Sequence, residues 1–156
     1  MNTSNSPKLG IPAALALFFP WLIGTSALAV EPIYTARFSD VAIKGYDAVA
    51  YFENGEPTAG KKGITHEWQG ATWRFASEQH RDLFAANPEK YAPQYGGYCA
   101  YAVSQGSTAG INPKAWDIHE GKLYLNYSLG IQKKWRRDQA KYIADADEKW
   151  PAILAE

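Results

Sequence analysis

The first 29 residues limit the size of the domain that this chain can form. They read MNTSNSPKLGIPAALALFFPWLIGTSALA, with one charge at Lys8, an apolar run over residues 9–23 and a small-x-small ending at residues 27–29. This order predicts a Sec signal peptide. A membrane anchor is the alternative, but the prolines in the run disfavour a spanning helix. Cleavage after Ala29 removes 29 of the 156 residues and leaves 127, enough for one domain with a single core.

The predicted mature chain has almost no net charge. The whole chain carries 16 basic and 16 acidic residues, and Lys8 is the only charged residue of the leader, so 15 basic residues face 16 acidic ones after cleavage. The one basic run, KKWRR at residues 133–137, predicts a solvent-exposed helix face. We therefore expect a periplasmic or secreted protein that binds no nucleic acid and, once the leader is removed, no membrane.

Cys99 is the only cysteine of the chain, so no intramolecular disulfide can support the fold. It lies in GGYCAYA at residues 96–102, where the glycine pair allows a sharp turn or a close approach of the backbone. We expect a short helix after the pair, with a partly buried sulfur in its first turn. Two interpretations stay open: a reactive thiol with a lowered pKa, or a small apolar residue of the core.

Apolar alternation and turn residues predict an α+β domain over residues 46–156, preceded by an extended N-terminal arm over residues 30–45. The predicted elements are a strand at 47–52, a hairpin around 69–71, a helix capped by Ser77 that ends before Asn87-Pro88, a short turn of helix at 88–91, a helix at 98–105, a hairpin at 116–127 and a long C-terminal helix from Ser128 that bends near Asp138. The expected core consists of Trp73, Phe75, Phe84, Tyr91, Trp116, Leu123 and Leu125, covered by Trp135, Tyr142 and Trp150 of the C-terminal helix.

One stretch of the sequence resembles a known module. HEWQGATWRFASEQHRDLFAANPEKYAP at residues 66–93, preceded by GYDAVAYF at residues 45–52, is similar to the YHS domain, and the resemblance extends over residues 40–153. YHS domains occur alone in exported bacterial proteins and attached to heavy-metal transporters and some multicomponent oxygenases. The segments around Cys99 resemble an exported branch whose relatives can carry selenocysteine at this position. The resemblance implies a small α+β fold.

The sequence departs from the family where metal-associated YHS modules resemble DPVCG and YFCSxxC, whose cysteines are soft-metal ligands. The matching positions are Ala50, Ala76 and His80. The resemblance therefore does not carry over an all-thiolate site.

A mixed metal site is the remaining candidate. His80, His66 and Cys99, with Asp47 or water completing the shell, are suitable ligands for a copper or zinc ion. The alternatives are a solvent-facing His80, a half-buried His66 in a strand and a Cys99 that only packs. His119, next to a predicted hairpin tip, is interpreted as an ordinary turn residue.

Three functions stay open at this point. The first is an exported accessory or binding protein, with copper or zinc as its candidate ligand and a periplasmic protein as its candidate partner. The second is a thiol redox protein that uses Cys99, and the third is a protein-interaction domain without chemistry. No catalytic arrangement can be found at a family-specific spacing, so the sequence does not indicate hydrolytic activity. We expect the first function.

Overall fold

The computed structural model describes Met1 and residues 29–156. Residues 2–28, which contain most of the predicted signal peptide, lie outside the described residues. The chain has the predicted α+β fold, and its described residues form two separate two-stranded antiparallel hairpins together with several helices. None of the helices in the described residues is long and apolar enough to span a membrane.

The first hairpin forms where it was predicted. Strand β1 (Lys61–Trp68) pairs with β2 (Ala71–Phe75), and His66 lies opposite Trp73. Gln69 and Gly70 join the strands with φ angles of 48° and 76°, as a tight two-residue hairpin turn requires. Side chains of β2 are buried at every second position, so this strand has one face against the core.

The prediction of a short strand at residues 47–52 is wrong, because this segment contains helix α1 (Ala50–Glu53). The Asp47 carboxylate accepts hydrogen bonds from the backbone N–H groups of Val49, at 2.9 Å, and Ala50, at 3.2 Å. An aspartate that bonds to the backbone just after itself closes a turn and competes with extended structure.

Side-chain caps explain the next two helices. Helix α2 (Glu78–Ala86) begins after Ser77, whose hydroxyl accepts a hydrogen bond from the His80 N–H. Helix α3 (Pro88–Tyr91) begins after Asn87, whose side chain accepts from the Lys90 N–H. Both helices were predicted: α2 from its cap residue Ser77, and α3 as a short turn of helix after the Asn87-Pro88 boundary.

The second half of the domain also contains an antiparallel hairpin that is followed by a capped helix. Helix α4 (Ala100–Ser104) precedes strands β3 (Asn112–His119) and β4 (Lys122–Asn126), which pair around the predicted Glu120-Gly121 turn. Ser128 caps helix α5 (Leu129–Trp135), a 3₁₀ turn covers Arg136–Asp138, and helix α6 (Gln139–Ala155) follows. The C-terminal helix is therefore interrupted at the predicted bend near Asp138.

Two apolar clusters form the core of residues 29–156. The first contains the predicted residues Trp73, Phe75, Phe84, Tyr91, Leu123 and Leu125, with a half-buried Trp116 packed against it. The second forms under α5 and α6 around Trp135, with Tyr142 and Trp150 at its margin. Residues of the N-terminal arm, including Ile33 and Ile43, are buried in the first cluster, so the arm is a part of the core.

The Gly96-Gly97 pair holds the arm against the body of the domain. The Tyr34 N–H donates a hydrogen bond to the Gly96 carbonyl at 2.8 Å. Gly96 has a φ of 60°, and a Cβ atom at this position would lie 1.8 Å from the Pro32 carbonyl oxygen. The close approach predicted for the glycine pair is confirmed, and the partner is the arm.

Candidate functional site

Asp47 is the centre of a buried polar site. Its Oδ1 accepts the two hydrogen bonds from Val49 and Ala50 at the start of α1. Its Oδ2 accepts from the Ala76 N–H at 2.8 Å and from His80 Nδ1 at 2.6 Å. One fully buried carboxylate therefore joins the start of α1, the end of β2 and the first turn of α2.

His80 is oriented by this carboxylate. In the tautomer whose Nδ1–H donates a hydrogen bond to Asp47, Nε2 carries the free lone pair of the ring. The side chain is only 12% exposed, so the solvent-facing His80 considered from the sequence is wrong. A carboxylate behind a histidine is a common way of fixing the direction of the second ring nitrogen, in metal sites and in acid-base catalysis.

The other two candidate ligands lie in different surroundings. His66 is half-buried on β1, and its ring meets Phe84 edge to face at a centroid distance of 6.1 Å. Cys99 lies directly before α4. Its thiol forms hydrogen bonds with Asn126 of β4 and with Tyr127, the residue that follows this strand. Of the four predicted ligands, only Asp47 and His80 are joined by a hydrogen bond.

The Cys99 thiol is enclosed by polar groups inside the core. Its side chain donates to Asn126 Oδ1 at 3.6 Å, and Sγ accepts from the Tyr127 N–H at 3.3 Å. The residue is 1% exposed, so the expectation of a partly buried sulfur is wrong. Burial raises the pKa of the thiol, although the backbone N–H groups of Ala102, Tyr127 and Tyr101 act in the opposite direction. The neutral thiol is therefore favoured over the thiolate.

These residues do not fit a complete soft-metal site. Within residues 29–156, no group of three or more His, Cys, Asp or Glu side chains is placed to hold a metal ion. The Asp47 carboxylate already accepts four hydrogen bonds, which use the lone pairs that a ligand would need. The hydrogen bond to Asp47 uses Nδ1, so Nε2 of His80 is the atom of this network that remains as a donor for a soft metal.

A surface cleft elsewhere on the domain was missed by the sequence interpretation. It has a volume of about 540 Å³ and lies between α1, β3 and α5. Trp116 was assigned to the core and Arg136 to an exposed helix face, yet both line this cleft. The alternation of Lys114, Trp116 and Ile118 along β3 was the available signal, because alternate residues of a strand share one face.

Comparisons of the chain with protein-family models, with curated proteins and with solved structures each found no match. The resemblance to the YHS domain therefore depends on the motif residues themselves.

Proposed function

We propose that this chain is an exported accessory protein of the YHS type, periplasmic or secreted, whose function is to bind another molecule. The observation that carries the proposal is the set of contacts around Asp47. The soft-ligand positions of metal-associated YHS modules match Ala50, Ala76 and His80. All three residues form hydrogen bonds with this one carboxylate, the two alanines through their backbone N–H groups and His80 through Nδ1.

The contacts support a platform in which an internal hydrogen-bond network takes the place of a metal ion. Two of the three matching positions carry methyl groups that cannot ligate, and the third uses Nδ1 to hold Asp47. A single imidazole nitrogen does not make a tight copper or zinc site, which needs three or four ligands. A soft-metal role for this chain would thus require ligands from a partner protein in addition to His80.

The buried thiol makes the redox alternative less favourable. Reaction with peroxide or a disulfide needs an accessible thiolate, and Cys99 is buried with a raised pKa. We therefore assign Cys99 a packing role in this proposal.

Metal titration tests the proposal. The protein is exported by a bacterial host, purified from the periplasm and titrated calorimetrically with Zn²⁺ and Cu⁺. We expect no stoichiometric binding tighter than about 1 μM, and no difference between the wild type, His80→Ala and the control His119→Ala. A tight 1:1 site that is lost in His80→Ala and kept in His119→Ala would overturn the proposal in favour of a metal carrier. N-terminal sequencing of the same material should start at Val30, and a retained leader would contradict export with cleavage.

A further inference from the structure

The cleft between α1, β3 and α5 combines an aromatic wall with charged groups. Its lining includes Tyr51, Lys114, Trp116, Asp117, Gln132 and Arg136. A volume of about 540 Å³ lies within the range of small-molecule sites in proteins.

The aromatic wall is built before any ligand arrives. The rings of Tyr51 and Trp116 lie with centroids 5.2 Å apart at an angle of 54°. The Tyr51 hydroxyl donates to the Pro113 carbonyl at 2.8 Å, which anchors the buried ring at the base of the cleft. Trp116 is only half-buried, so part of its indole remains available to a flat ligand ring.

The Asp47 site contributes to this wall indirectly. Asp47 accepts hydrogen bonds from the N–H groups of Val49 and Ala50, where α1 begins, and Tyr51 is the second residue of that helix. The hydrogen bonds around Asp47 therefore fix the element from which Tyr51 enters the cleft.

The charged groups leave the cleft with an excess positive charge. Asp117 Oδ1 accepts from Arg136 Nε at 2.7 Å, and Asp117 Oδ2 accepts from Gln132 Nε2 at 3.0 Å. The carboxylate is thus neutralised and held in place, while the terminal guanidinium N–H groups of Arg136 take no part in these bonds. Lys114 is exposed and belongs to none of the salt bridges among the described residues.

We propose that this cleft binds a small organic anion that carries a flat ring, with the ring against Trp116 and the anionic group between Lys114 and Arg136. The proposal rests on the proposed function only in treating the chain as a binding protein. A cationic ligand would be repelled by the excess charge, and a neutral aromatic ligand would leave the ammonium group of Lys114 unpaired.

The experiment compares three benzyl compounds of different charge: the anionic phenylacetate, the neutral benzyl alcohol and the cationic benzylamine. Each is titrated into ¹⁵N-labelled protein, and binding is followed by the amide shifts of residues 114–118 and the indole N–H of Trp116. We expect phenylacetate to bind more tightly than benzyl alcohol, and benzylamine to bind most weakly. The preference for phenylacetate should decrease with added salt.

Two lysine variants decide whether the charge recognition is local. Lys114→Gln should weaken phenylacetate binding by about fivefold and leave benzyl alcohol unaffected. Lys62→Gln, which removes an exposed charge on β1 away from the cleft, should change neither. Trp116→Leu should weaken binding of both ligands by about tenfold.

Equal affinities for phenylacetate and benzyl alcohol, or equal losses in the two lysine variants, would overturn the proposal. So would amide shifts confined to residues outside the cleft. Lys114 is exposed, so its variant keeps the test valid even if Trp116→Leu fails to fold. A tight metal site at His80 would overturn the proposed function and leave this result intact, because His80 does not line the cleft.

Discussion

Asp47 Oδ2 and His80 Nδ1 lie 2.6 Å apart, and this hydrogen bond connects the turn before α1 to the first turn of α2. The carboxylate is fully buried and also bonds to three backbone N–H groups. Its loss therefore affects three elements at once, and most of its contacts are charge-assisted.

We expect Asp47→Asn to lower the free energy of unfolding by about 3 kcal/mol, because the amide places an NH₂ group where the carboxylate accepts hydrogen bonds. Urea unfolding followed by tryptophan fluorescence measures this change. Asp40→Asn, at an exposed position that bonds to Thr72, is the control and should cost less than about 1 kcal/mol. Similar losses in the two variants would show that burial of Asp47 does not matter.

The correspondence between Asp47's partners and the soft-ligand positions predicts a gain of function. In the double variant Ala50→Cys and Ala76→Cys, two thiols and His80 occupy the three soft-ligand positions of the metal-associated modules, and we expect this variant to bind Co²⁺ with thiolate-to-cobalt charge-transfer absorption. The wild type should give no such band. A matched variant with two serines separates ligation from a change in packing, and a folded cysteine variant without the band would contradict the correspondence.

Cys99 should be inert in the folded protein. Its thiol is buried in the core, so we expect a bulky disulfide reagent to react only after addition of denaturant, and peroxide to be almost as slow. A stoichiometric thiol titre of the native protein would contradict the buried position. Cys99→Ala should cost about 1 to 2 kcal/mol of stability, as expected for a small core residue with weak hydrogen bonds.

The same thiol makes stability depend on pH in the alkaline range. The folded-state pKa of Cys99 is raised above the ordinary value of about 8.5, so the folded protein keeps its proton where the unfolded chain loses it. The contribution of Cys99 to stability is therefore complete below the unfolded-state pKa and is lost as pH rises towards the folded-state pKa. The difference in unfolding free energy between wild type and Cys99→Ala should decrease over this interval. A difference that increases with pH would contradict the prediction that folding raises the pKa of Cys99.

Gly96→Ala tests how closely the arm approaches the domain. The added methyl group would lie 1.8 Å from the Pro32 carbonyl oxygen, in a backbone with φ of 60°. We expect a loss of more than about 3 kcal/mol, from strain at positive φ together with overpacking. Gly121→Ala has a φ of 73° and nothing within 4 Å of the new atom, so it isolates the backbone strain and should cost about 1 kcal/mol. Similar losses of stability in Gly96→Ala and Gly121→Ala would contradict the close approach of the arm to Gly96.

Much of the fold can be predicted from local chemistry. Ser77, Asn87 and Ser128 satisfy backbone N–H groups within the next turn, so the helix starts that they mark are visible in the sequence. The Gln69-Gly70 turn follows from residues that tolerate positive φ beside alternating strands.

The candidate sites depend on contacts that the sequence does not display. Asp47 lies 29 positions before Ala76 and 33 before His80, so no local periodicity relates them, and the sequence places Asp47 with His80 only as members of one candidate ligand set. The short apolar run after Asp47 has the composition of a strand, but side-chain bonds to the backbone turn it into a helix. Likewise Asp117 and Arg136 belong to separate elements, and their ion pair follows only from how α5 packs beside β3.

The contact between the N-terminal arm and Gly96 also limits the order in which the chain can fold. Tyr34 leaves the ribosome well before Gly96, whose carbonyl accepts a hydrogen bond from its N–H, and Ile33 belongs to a core cluster with residues from both halves of the chain. Such long-range contacts form late, because the intervening loop must close first. We therefore expect the segment after the predicted cleavage site at Ala29 to dock only when the domain closes around it. Under the proposed export, late docking of the arm would keep the predicted cleavage site accessible to a signal peptidase.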